Sequence, residues 1–400
     1  ACGMCRNAQG SAICPLNPNG WPPGQGDTMP VPSINTPSGK PRAAALGLRF
    51  DGCPGPFNAI TDVAGVAVGY ATLIAGDGKL VVGKGPVRTG VTAILPRPRA
   101  DAQTPVFAGL FSLNGNGEMS GSHYIEEAGK FALPITITNT HSCGLARDAT
   151  IRWAAGAFPE TFDDDFALPV AAETYDGFLN DINGFHVTNA HVYAAIDGAQ
   201  SGPVEEGSVG GGTGMKCFGF KAGSGTASRR VGFAGRDYTV GVFVQANFGQ
   251  RANLTVLGRR LGAAFDDLPM RRNTPDAQGS SIIAIVATDA PFLPHQLKRL
   301  ARRASFGVGR MGGMADHGSG DIFLAFSTAN AQIGGGAEQA LNHADFVPDE
   351  QIDGFFAAVV QAIEEAILNS MIANADMEGR DGNFVPALPH DRLRAALGLV

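Results

Sequence analysis

A short apolar run, Ile282 to Ala287, sits directly behind two serines, Ser280 and Ser281. Rich in β-branched residues and lacking polar alternation, it predicts a strand over 281–288 that is buried on both faces. Such a strand demands a sheet covered on both sides, which excludes most simple architectures. Further strand-like runs lie at 63–73, 90–96, 106–113, 133–140, 167–173, 238–247 and 321–328. Helical patterns cover about 122–131, 143–156, 186–197, 295–311 and 352–372. In the last, Ile352, Phe355, Phe356, Val359, Val360, Ile363 and Ile367 recur at helical spacing, after Pro348 and an acidic first turn. Strands follow strands as well as helices, so the pattern predicts a layered α+β sandwich with outer helices rather than a doubly wound sheet.

The chain has 400 residues, 44% hydrophobic and 17% charged, enough for a sizeable core and unlike a disordered chain. A net charge of −7 argues against a nucleic-acid partner held by phosphate neutralisation. The basic run Lys298–Arg303 reads as the solvated side of a helix whose other face carries Leu297, Leu300, Ala301 and Ala304. No apolar stretch approaches the roughly 20 residues of a bilayer span, so no membrane partner is expected. Residues 1–44 are rich in Gly, Pro, Asn and Ser and read as an extension, with 45–400 as a single domain. Cys2, Cys5, Cys14 and Cys53 cluster at this end, whereas Cys143 and Cys217 lie apart. The clustering favours a disulfide-stapled extension and hence a periplasmic or secreted protein over a cytoplasmic one. The Cys2/Cys5 pair has metal-knuckle spacing but no second pair follows, and no metal is expected.

Several segments could carry chemistry. A serine entering a buried strand behind the polar, loop-like stretch Arg259–Ser280 is either a turn residue or the site of a self-inflicted cut. In the second case the Ser281 hydroxyl attacks the preceding carbonyl and is released bearing both a nucleophile and an α-amine that serves as base. The segment "SVGGGTGM" lacks the Lys-Ser/Thr ending of a phosphate loop, so Gly211, Gly212 and Thr213 read as a tight loop lining a substrate site or as a plain turn. "ADHGSGD" crowds Asp316, His317, Ser319 and Asp321, a composition shared by metal loops, triads and turns. Cys143, at a helix start close to His141, is a second candidate nucleophile against the alternative of a small core residue. His186 and His191 do not form the spacing of a zinc hydrolase.

Together "AAETYDGFLNDING", "SVGGGTGM", "VGVFVQANFG", "SIIAIVATDAPFLPHQLKRLARRA" and "GSGDIFLAFSTAN" resemble the L-aminopeptidase/D-amidase/D-esterase and β-peptidyl aminopeptidase family, from about Leu46 to nearly the C-terminus. The resemblance implies an αββα four-layer sandwich, related to ornithine acetyltransferase and superficially like N-terminal-nucleophile hydrolases. It implies a cut between Ser280 and Ser281, giving chains 1–280 and 281–400, and a nucleophile at Ser281. It further implies an oxyanion hole from Asn247 with help from Tyr175, a Glu173 carboxylate that receives the substrate's free amino group, and a Ser319–Asp321 pair that orients the nucleophile. No cofactor follows from it; the expected partners are a small peptide, amide or ester with a free amino terminus, and further copies of the chain in a homo-oligomer, as a tetramer. An acyltransferase of the ornithine acetyltransferase type is the alternative on this fold, although those enzymes use threonine after the cut. Two departures stand out: Asp321 is one methylene shorter than the Glu of β-peptidyl members, and Ser280 replaces a Gly or Asn.

Overall fold

The computed structural model describes residues 33–274, 280–334 and 341–399. Two sheets face each other. One has four strands in the order β1 (Ala67–Ala75), β2 (Val87–Leu95), β5 (Ile135–Asn139), β6 (Ala171–Thr174). The other has six, in the order β4 (Lys130–Phe131), β3 (Val106–Gly115), β10 (Ser319–Ser327), β9 (Ser280–Thr288), β8 (Arg236–Asn247), β7 (Ser224–Phe233). The pairs β5–β6 and β9–β10 are parallel, and the other neighbours are antiparallel.

Strand β9 shows why this sequence requires layers. Ile283, Ile285 and Ala287 enter the core between the sheets, against Ile94, Ile137, Phe243 and Leu324. Ile282, Ala284 and Val286 enter a second core beneath helices α4 (Pro294–Arg310) and α5 (Asp353–Ile372). A third core joins the outer face of the four-stranded sheet to α2 (Cys143–Ala157) and α3 (Asn189–Asp197), through Val91, Ala93, Ala146, Ala149, Val192 and Ile196. The result is the αββα sandwich. Burying each large aliphatic side chain contributes about 1.5–3 kcal/mol, so these cores dominate the fold energy.

Helix α4 buries Leu297, Leu300, Ala301 and Ala304, as its spacing predicts, and Arg303 on its outer side lies 3.7 Å over the Phe356 ring. Helix α5 corrects one expectation, because its length and apolarity do match a membrane span. Its buried face carries Glu364, Glu365 and Asn369 into polar partnerships, which marks it as a core helix.

Other differences have local causes. The first predicted strand begins at Ala67 because Val63–Val66 form a turn, and the fourth begins only after Leu133, which is held at φ 77°. The helix expected over 122–131, α1 (Ser122–Ala128), ends at left-handed Gly129, and residues 130–131 pair with β3. The helix expected from 186 starts at Asn189, where Thr188 and the His191 ring form a capping box. Strand β7, "SGTASRRVGF", was not predicted, since its buried side chains are polar apart from Ala227. There Arg229 reaches Glu365 at 2.7 Å, Asn58 Nδ2 donates to the same carboxylate at 2.7 Å, and Thr226 N–H donates to Glu206 at 2.8 Å. Arg42 pairs with Glu206 at 2.7 Å and Ala43 is buried, so residues ahead of position 45 join the core. Cys53 is disulfide-bonded and Cys143 and Cys217 are buried free thiols; Cys2, Cys5 and Cys14 lie outside the described residues.

Replacing Glu365 by Ala strands the Arg229 guanidinium without its carboxylate and is expected to cost about 3–5 kcal/mol, whereas an Arg229→Met/Glu365→Leu pair recovers most of that loss. Denaturant titration of the protein and of both variants checks this.

Candidate active site

The site is assembled where β9 begins. Ser281 lies opposite Asn247 at the end of β8 and beside Gly320 in β10, while Ser280 pairs with Ser319. The β10 start is set by a turn in which Ser319 N–H donates to the Asp316 carbonyl at 2.8 Å. Asp316 and His317 therefore contribute backbone to a turn, and Ser319 and Asp321 are presented by the strand. At Gly320 a Cβ would collide with the Asn116 carbonyl, so only glycine lets the β3 end loop lie over the strand mouth. Gly117 in that loop separates Gly320 from Glu173: its Cβ position lies 3.3 Å from both Gly320 Cα and Glu173 Oε1.

Ser281 is only 4% exposed, and its Oγ is buried without a hydrogen-bond partner among the described residues. A buried hydroxyl in that state costs about 1–3 kcal/mol, so it is a feature that stability alone does not explain. Ser319 Oγ donates to Asp321 Oδ1 at 2.6 Å and lies 3.3 Å from Ser280 Oγ. The shorter acid thus reaches its serine. Asn114 Nδ2 holds the other Asp321 oxygen at 3.4 Å and the Asp316 carbonyl at 3.2 Å. Burial raises the Asp321 carboxyl above the ordinary range, and the Ser319 and Asn114 bonds pull it partly back.

Asn247 Nδ2 donates to the Tyr175 carbonyl at 2.9 Å and its Oδ1 accepts from Lys216 N–H at 3.1 Å. The two partners fix the amide orientation and leave one Nδ2 hydrogen for a further acceptor. Tyr175 meets Asn247 through its backbone, and its ring folds against Gly177, where a Cβ would strike it. Glu173 is buried, accepting from Glu118 N–H at 2.9 Å and from the Thr140 hydroxyl. Desolvation raises its pKa, and those two bonds act in the opposite direction.

Gly211, Gly212 and Thr213 are brought near the site but not to an open surface. All three are buried, and Cβ atoms on the glycines would collide with Gln245 Oε1 and with Ser224 N. Their loop leads into Lys216, which holds Asn247. Cys143 is not brought to the Ser281 cluster: its Sγ lies 3.5 Å from the Ala171 carbonyl, and burial pushes the thiol up to about 12. His186 pairs with Asp181 at 2.9 Å. Among the described residues no cluster of His, Cys, Asp or Glu could hold a metal ion. Sequence reasoning did not single out Asn114, Thr140 or Gln245. Asn114 and Thr140 sit at strand ends, a position that carries no distinctive pattern, and Gln245 is a buried polar residue inside β8.

A strand-mouth serine beside a carboxamide and a serine–carboxylate pair, on an αββα sandwich, defines a hydrolase of the serine aminopeptidase class. The model of peptidase family S58 matches residues 58–385, and the chain belongs to that family. Beta-peptidyl aminopeptidase BapA of Sphingosinicella microcystinivorans is 52% identical over 368 residues, 89% of this chain and 92% of the relative. The L-aminopeptidase D-Ala-esterase/amidase of Ochrobactrum anthropi, described as a variant of the Ntn hydrolase fold, superposes with TM-score 0.84 at 51% identity, covering 90% of this chain and 98% of its own. A Burkholderia sp. β-aminopeptidase superposes with TM-score 0.80 at 45% identity, covering 89% and 98% respectively.

A thiol held in its neutral form is a poor nucleophile. Iodoacetamide at neutral pH is therefore expected to leave Cys143 unmodified in the folded protein and to alkylate it after denaturation, and Cys143→Ala is expected to keep aminopeptidase activity, read by peptide mapping and by a chromogenic amide assay.

Proposed function

We propose that this enzyme cleaves itself between Ser280 and Ser281 and then acts as an aminopeptidase through an acyl-enzyme on Ser281. The observation that carries the reading is the buried, unpartnered Ser281 Oγ at the strand mouth, between Asn247 and the Ser319–Asp321 pair. In the first event Oγ attacks the Ser280 carbonyl carbon. The Ser280–Ser281 C–N bond breaks, the nitrogen takes up the hydroxyl proton, and an ester forms. Water hydrolyses that ester, leaving a carboxyl on Ser280 and a free α-amine and hydroxyl on Ser281. Chains 1–280 and 281–400 then share one fold.

The new α-amine, with an ordinary pKa of about 7.7–8.0, takes the Oγ proton when substrate arrives. Oγ attacks the carbonyl of the substrate's N-terminal residue, and the free Asn247 Nδ2 hydrogen points to the developing oxyanion, with the Tyr175 segment held alongside. The amine or alcohol leaves with the proton, and water releases the acyl group. Ser319 and Asp321 orient the amine. Glu173 meets the substrate ammonium, which makes a free amino terminus a requirement; small N-terminal L-, D- or β-residues as amides or esters are the substrates this chemistry takes, in keeping with the names of the relatives. The disulfide at Cys53 supports an exported location.

Denaturing mass spectrometry of freshly purified protein is expected to give two chains separating before Ser281, and one intact chain for Ser281→Ala. A wild type that stays whole on long incubation overturns the mechanism. Once cleaved, Asn247→Ala is expected to lower kcat by about 10²–10³ with a smaller change in KM, as for loss of one oxyanion donor.

A further inference from the structure

We infer that Arg271 and Asn273, gripped by the segment 378–384, form a clasp that positions the chain for self-cleavage; this rests on the proposed cut at 280–281. Arg271 and Phe384 exchange backbone hydrogen bonds of 3.1 and 3.0 Å. The Arg271 guanidinium donates to the Gly382 carbonyl at 2.8 Å, pairs with Glu378, and lies over the Phe384 ring. Asn273 Nδ2 donates to the Asp381 carbonyl at 2.9 Å.

The centre of the clasp is Asn383, which is fully buried. Its Oδ1 accepts from Asn273 N–H at 2.9 Å, and its Nδ2 donates to Thr274 Oγ1 at 2.8 Å and to the Phe178 carbonyl at 2.9 Å. One amide thus fastens together the approach to the cut, the C-terminal part of the chain, and the segment that continues from Tyr175. Beneath it, Phe178, Leu179 and Val385 pack with Met270 and Met377 as a small apolar cluster of their own. The approach is therefore fixed at Thr274, and the chain is fixed again at Ser280 by pairing with Ser319. An intramolecular attack gains rate when its partners are held near each other, and holding both ends supplies that restraint.

Arg271 and Asn273 are exposed, so their truncation spares the core. Among the described residues they touch none of the groups around Ser281, which makes them positioning residues for cleavage alone. The test uses full-length chains made by cell-free translation, with the loss of the single-chain band followed over time for wild type and Arg271→Ala/Asn273→Ala. The expected result is cleavage slowed roughly tenfold or more in the variant. Once cleaved to completion, its kcat/KM on a chromogenic amide and its thermal midpoint should match wild type. Cleavage at the wild-type rate overturns the role of the Arg271 and Asn273 side chains and leaves the self-cleavage reading standing. An equal fall in cleavage and in kcat/KM also overturns it, because that assigns the residues a general structural role. A wild type that never splits removes both.

Discussion

Because both faces of β9 are packed, its register cannot drift. A slip of one residue would exchange Ile282, Ala284 and Val286 for Ile283, Ile285 and Ala287 between two differently shaped cores. That restraint carries through to the first turn of the strand, where Ser281 is held opposite Asn247 and beside Gly320. A loop could bring the same groups together, but it would not hold them at tolerances that chemistry needs. Hydrophobic packing over the length of the strand is thus what aims a polar group at its end.

The buried carboxylates divide by partner. Glu206 and Glu365 face the guanidinium groups of Arg42 and Arg229, and they staple β7 to the N-terminal segment and α5. Glu173 and Asp321 are equally hidden, yet they are held by hydroxyl, amide and backbone donors and make no ion pair among the described residues. Their pKa values are displaced upward, because desolvation outweighs the hydrogen bonds they receive. A buried acid without a resident cation is where a cationic group, brought by a substrate or made at a new chain end, gains most.

Much of this was legible in the sequence where apolar residues dominate. The β9 run and the spacing of α4 and α5 translated directly into buried faces, since aliphatic side chains declare their environment. Strand β7 did not, because Thr226, Ser228 and Arg229 are buried by virtue of partners distant in the chain, Glu206, Asp62 and Glu365. The same limit hid Asn114 and Thr140. Each is an ordinary polar residue until folding sets it against Asp321 or Glu173. The motif "GSGD" was visible as chemistry, but whether it formed a turn or a site depended on where β10 began. The structure places Asp316 in the turn and Ser319 and Asp321 after it on the strand.

The order of strands in the larger sheet bears on how such a protein can be made. Strands β9 and β10 lie side by side in its middle, with β3 and β4 on one flank and β8 and β7 on the other. A break ahead of Ser281 would assign the inner pair to one polypeptide and both flanks to the other. Pulling the pieces apart would then open two ladders and two cores at once, so separation would amount to unfolding. Neither piece could present a finished surface for the other to dock on, since each lacks the middle or the margins of the same sheet. A gene divided at this point would therefore yield fragments with no template to assemble against: continuity of the chain is the scaffold on which the sheet is built, and it can be given up only afterwards.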